Sequence, residues 1–451
     1  MTTNQPLDFG IAPTFAVPAP LAASDDRDLN DGELFVPRQP KSLVEVGLEP
    51  KDLFPLILRF LYFHGPHSGA AIARQMKMPV SIVEPVVVLL KQEQWIGHKG
   101  AAPGSDYVYE LTPKGAEQAR MAIKRGTYCG AAPVSIEQYE QAMLRQSVRK
   151  LTPPLRRILA AYQDMILSKT VAAQLAQAVT SGRSLLLYGP SGNGKSSIAS
   201  RLIHAWSSEI WIPRALFVGG EVLRLFDSAV HREMPVPRSA GYMHEDTIDQ
   251  RWVRIARPAI VVGGELCLEH LEPTLNPVSQ IIESPLHLKS NGGCLVIDDF
   301  GRQRIHFSDL LNRWIIPMDR GFDFVNLPSG RQIRIPFDQL LVFATNLKPK
   351  DIADDAFFRR IPYKIELMGP NEEQFRKLFE RLAQQSHVEV QAGALDYLLE
   401  KHFERSGRVL CFSFAGDLLQ QAIDFCKMHN VPARFNREIA DLSVLNYFAD
   451  R

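Results

Sequence analysis

The sequence predicts an α/β protein built on a parallel-sheet core, with a helical region after it and a small α+β region before it. Three observations lead there. An apolar run, Leu185 to Tyr188, passes into a glycine-rich loop and then a helical pattern, the order strand, loop, helix. A second apolar run, Cys294 to Ile297, ends in two acids, as a buried parallel strand does when it delivers side chains to one edge of a sheet. From about Pro370 to Arg451 the apolar spacing is helical throughout.

A chain of 451 residues exceeds what one hydrophobic core usually organises. The expected division is a disordered tail at 1–35, an α+β domain at 40–126, a linker at 127–152, the α/β core at 153–368 and a helical lid at 369–451. The tail is rich in Pro, Ala and Asp without periodicity, a composition that rarely packs. An apolar fraction of 45% and a charged fraction of 22% belong to an ordinary globular chain. The net charge of +1 supplies no overall field toward nucleic acid or anionic lipid, so any such binding needs a local patch. Five cysteines without CxxC spacing fit reduced thiols better than a disulfide framework or metal cluster. No signal peptide and no run of ~18 apolar residues is found, so a cytoplasmic protein without membrane insertion is expected.

Within 40–126, the segment from Lys51 places Leu53, Leu56, Ile57 and Phe60 on one helical face, and Gly65-Pro66 ends it. Two further helices follow, from Ser68 and from Pro79, then two extended runs around a Gly/Pro turn and a helix from Pro113. The polar stretch Gly126 to Lys150 reads as the linker.

The loop Gly189-Pro190-Ser191-Gly192-Asn193-Gly194-Lys195-Ser196 fits G-x-x-x-x-G-K-[ST], with Ser197 opening the helix beyond it. Its glycines let backbone N–H groups curl around phosphate oxygens where side chains would obstruct them, and the helix start adds partial positive charge. Lys195 is expected to reach the β- and γ-phosphates of ATP, and the Ser196 hydroxyl to hold Mg²⁺. About a hundred residues on, Asp298 and Asp299 form a Walker B pattern. Asp298 is expected in the Mg²⁺ shell and Asp299 beside the attacking water.

Residues from about 155 to 450 resemble an AAA+ ATPase module, an αβα core followed by a helical lid. The resemblance implies that Asn346, at the end of Leu340-Leu341-Val342-Phe343-Ala344-Thr345, is the sensor-1 residue that orients the water. It implies that Arg360, with Arg359 beside it, is an arginine finger acting in trans on a neighbour's ATP, which requires a ring homo-oligomer, a hexamer in the usual case. Such proteins more often carry Glu where Asp299 stands, and Gly416 occupies the apparent sensor-2 arginine position, with Arg408 in another register. The shorter Asp299 must sit closer or act through water, and the loss of the arginine implies slow turnover or a borrowed arginine. The run Asp323 to Phe337 resembles the hairpin before sensor 1 of MoxR-like ATPases and enhancer-binding activators, and the apolar runs around Gly263-Gly264 resemble their second insert; such hairpins project into the pore and touch substrate. The 40–126 region resembles a winged-helix domain, its third helix dominated by Val and Leu and its basic residues limited to His98, Lys99, Lys114, Arg120, Lys124 and Arg125. Three functions stay open: a ring ATPase remodelling an unknown protein client, a DNA-associated ATPase using the winged helix on duplex DNA, and a nucleotide-gated scaffold with negligible turnover, which follows from Asp299 and Gly416.

Overall fold

The computed structural model describes residues 35–104, 106–206, 209–236, 247–305, 307–352 and 358–448. The tail expected at 1–35 lies outside the described residues apart from Phe35, whose ring meets Trp252 edge-on at 5.4 Å.

The N-terminal unit has helices Pro50–His64, Gly69–Met76, Val80–Gln92 and Pro113–Lys124 and strands His67–Ser68, Ile96–Ala102 and Asp106–Leu111, with Asp106–Leu111 central in the small antiparallel sheet. The helices start where the chain supplies caps: Ser68 accepts from Ala71 N, and Thr112 accepts from Gly115 N with Pro113 in the first helical position. Asp106 accepts from Gly69 N at 3.1 Å and Ala70 N at 2.8 Å, tying the hairpin to the second helix. Leu53, Ile57, Ile72, Ile82, Val86 and Leu90 close the core.

The nucleus of the chain is a five-stranded parallel sheet, numbered here along the sequence: β1 Leu185–Tyr188, β2 Ala259–Val262, β3 Cys294–Ile297, β4 Leu340–Thr345 and β5 Tyr363–Glu366. The strand order is β2-β3-β4-β1-β5, every pair parallel. The apolar runs are continuous because helices cover both faces; one core holds Leu185, Leu187, Val296 and Val342, the other Leu186, Leu295, Trp314 and Phe343. Neighbours β4 and β5 flank β1 on opposite sides, so the loop after β1 opens at the point where the strand order reverses, where open α/β sheets bind ligands.

Helix α1 (Lys195–Arg201) follows β1, and α2 (Phe307–Arg320) lies between β3 and β4. The C-terminal region carries helices Glu372–Gln385, Ala394–Leu399, α3 (Phe412–Met428) and Arg437–Tyr447 around Phe375, Phe379, Leu418 and Phe435. No helix among the described residues is long and apolar enough to cross a membrane.

Three expectations are corrected. Residues 127–152 are not a bare linker: Val134–Ser135 pairs in parallel with Ala215–Val218, and the helix Ile136–Gln146 buries Tyr139, Ala142, Met143 and Gln146. Their spacing of three, one and three residues is a helical stripe, masked in the sequence by the Gln and Glu residues between them. The runs around Gly263-Gly264 are not a hairpin insert, since Ala259–Val262 is a core strand of the parallel sheet. Between β1 and β4 the chain instead builds a second, β-rich body. It contains the pair Glu209–Pro213 and Trp252–Ala256, a five-stranded sheet centred on Glu221–Arg224, and the hairpin Phe322–Asn326/Gln332–Pro336.

That hairpin forms where the sequence places it, but it does not project freely. Val325, Leu327, Ile333 and Ile335 are buried in the β-rich core with Tyr139 and Leu216. Arg331 at its tip donates to Gly219 O at 2.7 Å. At its base Asp323, 2% exposed, lies 3.1 Å from His287 Nε2 and pairs with Arg313, which also meets Glu272 at 3.3 Å. Burial pushes the Asp323 carboxyl up, but the hydrogen bonds and charges of His287 and Arg313 outweigh it and hold it below the ordinary aspartate range.

Asp323→Ala therefore leaves the buried His287 without its partner and Arg313 with Glu272 alone, at an expected cost of about 3–5 kcal/mol. Because the folded carboxyl titrates below its unfolded value of about 3.9, its stabilisation is present above that pH and is lost as pH falls through the lower folded value. Thermal melts read this: the variant melts below the wild type at pH 7 and the gap narrows on acidification. Equal midpoints at pH 7 would show that the pair contributes nothing net.

Candidate functional site

The site forms where β1, β3 and β4 end together. The loop Gly189 to Ser196 leaves β1 with φ of 136° at Gly189, 79° at Gly192 and 76° at Gly194, backbone conformations that side chains resist. Two of these glycines also answer to packing. A Cβ at Gly189 would lie 2.4 Å from Leu367 O, just beyond β5, and one at Gly192 would lie 2.5 Å from Ser413 Oγ.

Lys195, 7% exposed, donates from Nζ to Gly189 O at 3.0 Å and Pro190 O at 2.8 Å. Burial lowers its pKa, while the charges of Asp298, Asp299 and Cys411 pull it back up. The ammonium thus sits within electrostatic reach of both acids. Pro190 and Ser191 are exposed on the crown of the loop, and Ser196 and Ser197 are exposed on the first turn of α1. Asn193 is 4% exposed and its Oδ1 accepts from Phe412 N at 3.4 Å.

Asp298 continues β3, its N–H donating to Val262 O at 2.7 Å. Asp299 turns away with φ 47°, its N–H donating to Asp298 Oδ1 at 2.9 Å. Asn346, one residue past β4, donates from Nδ2 to Asp299 Oδ1 at 3.4 Å. Its Oδ1 is buried without a hydrogen-bond partner among the described residues. Loop, acids and amide are thus brought to one end of the sheet. Arg360 is directed elsewhere, its Nε donating to Asp319 Oδ2 at 2.8 Å near the end of α2, and Arg359 beside it is exposed.

The lid meets the loop through α3, but not at Gly416. A Cβ there would face Leu382 of the lid itself at 3.9 Å. Ser413, one turn earlier, is the residue on the loop, and its N–H donates to Gly192 O at 2.9 Å. The first turn of α3 thus supplies backbone N–H groups where the sequence reading sought an arginine. Arg408 stays inside the lid, over the Phe448 ring at 4.5 Å and donating to His402 O at 3.4 Å. Ser413 and Gln303, whose amide spans the turn after Asp298, went unnoticed in the sequence, since no residue spacing distinguishes them from surface positions.

The arrangement offers backbone donors and an ammonium for phosphate oxygens, a hydroxyl and a carboxylate for a hard cation, and a second carboxylate oriented by an amide. Residues 371–446 match a family described as "Domain of unknown function (DUF8689)". No curated protein matches the sequence. Among solved structures the chain resembles the Holliday junction branch migration motor RuvB of Thermotoga maritima, at 14% identity over 62% of this chain and 70% of that one, with a TM-score of 0.36. It also resembles NtrX of Brucella abortus, at 14% identity over 72% of this chain and 65% of that one, TM-score 0.39. NtrX in complex with ATP matches at 12% identity over 72% and 67%, TM-score 0.39.

Gly192→Ala should loosen the contact between loop and lid, through both the positive φ and the encounter with Ser413, by roughly 1–3 kcal/mol. Hydrogen exchange of residues 408–416 would accelerate, and adding Ser413→Ala would restore part of the protection. Unchanged exchange in Gly192→Ala would mean the lid does not rest on this glycine.

Proposed function

We propose that this chain is an AAA+ ATPase that binds and hydrolyses ATP at Gly189 to Ser196 and uses the energy to remodel a protein client. The observation that carries the reading is the meeting of Lys195, Asp298, Asp299 and Asn346 at the carboxyl ends of β1, β3 and β4. Backbone N–H groups of the loop hold the phosphates, and Lys195 exchanges the carbonyls of Gly189 and Pro190 for the β- and γ-phosphate oxygens. Ser196 and the half-buried Asp298 form the sparse donor set that suits Mg²⁺, which takes its remaining ligands from phosphates and water. When bound, that ion neutralises charge on the transferred phosphoryl group.

Asp299 polarises the attacking water, and Asn346 keeps the Asp299 carboxylate in place. Arg360, seconded by Arg359, serves as the finger for the ATP of a neighbouring copy, so the active form is a ring homo-oligomer, taken to be a hexamer. Its pairing with Asp319 and the exposure of Arg359 support a role at the chain's surface rather than in its own loop. Turnover is slow, because Asp299 replaces a longer acid and α3 meets the loop through backbone groups rather than an arginine. The protein is placed in the cytoplasm, without membrane insertion, in keeping with the lack of a membrane-crossing helix among the described residues.

The N-terminal unit, read as a winged helix, recruits the client. The helix Val80–Gln92 exposes Val80, Glu84, Pro85, Val88 and Leu89, an apolar and acidic face suited to protein. Lys91 meets His98 at 2.6 Å and Lys99 pairs with Glu110 at 3.2 Å, so two of the basic groups near it are already engaged. The rival reading, duplex DNA, rests on the exposed Arg120, Lys124 and Arg125 at the far helix.

Steady-state phosphate release tests the ATPase: Lys195→Ala should abolish it, and Asp299→Asn should lower it by about 100-fold or more while retaining ATP. Equal release from wild type and Lys195→Ala would remove the enzyme claim. Asp299→Asn should also trap the client in a pulldown where Lys195→Ala recovers none. For the rival, a mobility-shift series on duplex DNA across salt should show no retardation even at low salt, and retardation that weakens as salt rises would favour DNA over a protein client.

A further inference from the structure

We propose that Gln303 is a positioning residue for Asp299, a role that rests on reading Asp299 as the acid that polarises water. Asp299 holds φ at 47°, in the left-handed region where a non-glycine residue is disfavoured. Such a conformation persists only where its surroundings over-determine it. Part of that comes from the backbone of the turn, where Arg302 N donates to Asp299 O at 3.0 Å, and the rest from one side chain. Gln303 Nε2 donates to Asp298 O at 2.9 Å and to Asp299 O at 3.1 Å, and its Oε1 accepts from Gly301 N at 2.8 Å. A single amide therefore spans the turn, using both its donor and its acceptor end.

The rest of the turn is fastened to the sheet. Phe300 N donates to Ala344 O at 2.8 Å, and Thr345 Oγ1 donates to Phe300 O at 2.7 Å. Asp299 is thus caught between β3, which ends at Ile297, and a residue clamped to β4. Its backbone direction, and with it the approach of its carboxylate to Asn346 Nδ2, depends on the two carbonyls that Gln303 holds, the second of them shared with Arg302 N. The left-handed turn sets the direction in which this aspartate presents its oxygens. Only a carboxamide offers both ends, and asparagine is one methylene shorter: glutamate keeps the acceptor and loses the donors, lysine keeps a donor and loses the acceptor, and leucine loses all three bonds.

The test compares steady-state ATP hydrolysis and binding of a fluorescent ATP analogue in wild type, Gln303→Leu, Gln303→Glu, Asp299→Asn and the Gln303→Leu/Asp299→Asn double variant. Gln303→Leu should lower kcat on the order of 10- to 100-fold, with KM and analogue affinity within about twofold of wild type. The double variant should be no slower than Asp299→Asn alone, because Gln303 acts only through that acid. If Gln303→Leu does not fold, Gln303→Glu, which removes only the donors, is read in its place against the same expectations. A kcat within about twofold of wild type, or losses that multiply in the double variant, overturns the positioning role. A wild type no faster than Asp299→Asn overturns the reading of Asp299 itself, and the positioning role with it.

Discussion

The loop Gly189 to Ser196 is gripped from two sides, and the rest of the site depends on that grip. Leu367 O stands where a Cβ of residue 189 would have to be, and Ser413 stands where one of residue 192 would be. Gly369 is held in the same way, with Leu410 O 2.1 Å from the position of its missing Cβ. The absence of a side chain at Gly189 and Gly192 therefore permits the close approach of the end of β5 and of the lid.

A second set of contacts fixes the sheet that carries the loop. The helix Ile136–Gln146 lies between the N-terminal unit and the β-rich body. Gln146 exchanges two hydrogen bonds with the Trp211 backbone, at 2.9 and 2.7 Å. Asn291 donates to Pro336 O at 2.8 Å and accepts from Asp338 N at 2.9 Å, joining the approach to β3 with the approach to β4. Arg251, 2% exposed, pairs with Asp249 at 2.8 Å and donates to Val46 O and Pro133 O, binding the N-terminal segment to the same body. Buried polar groups satisfied in this way specify one arrangement more sharply than apolar packing does. The strands bearing Asp298 and Asn346 are thus held in register from the end opposite the site.

The loop, the paired acids and Asn346 were legible in the sequence because each is a local signal: a residue type at a set distance from an apolar run. The helix Val80–Gln92 was legible for the same reason, with Ile82, Val83, Val86 and Leu90 on one face. The β-rich body was not, because its strands are short and its central sheet joins segments as distant as Val134 and Ile282. Strands of two to five residues carry too little alternation to be told from loops, and pairing across such separations leaves no periodic trace. The same limit makes Ala259–Val262 look like half of a hairpin, whereas Ile136–Gln146 looks like a linker because polar residues mask its helical stripe.

What the sequence determined by itself is the local chemistry: a backbone able to wrap phosphate, an ammonium within it, and acids at the end of a buried strand. Only the tertiary structure decided which groups serve those residues. The family resemblance puts Gly416 at the apparent sensor-2 position, yet helix rotation turns it toward Leu382 and gives the loop contact to Ser413. Gln303 is five residues from Asp298 in the chain, but its role comes from the turn that folds its amide back over Asp298, Asp299 and Gly301. Rotation about a helix axis and the direction of a turn are set by packing over the whole molecule, and for that reason neither is written in the spacing of residues.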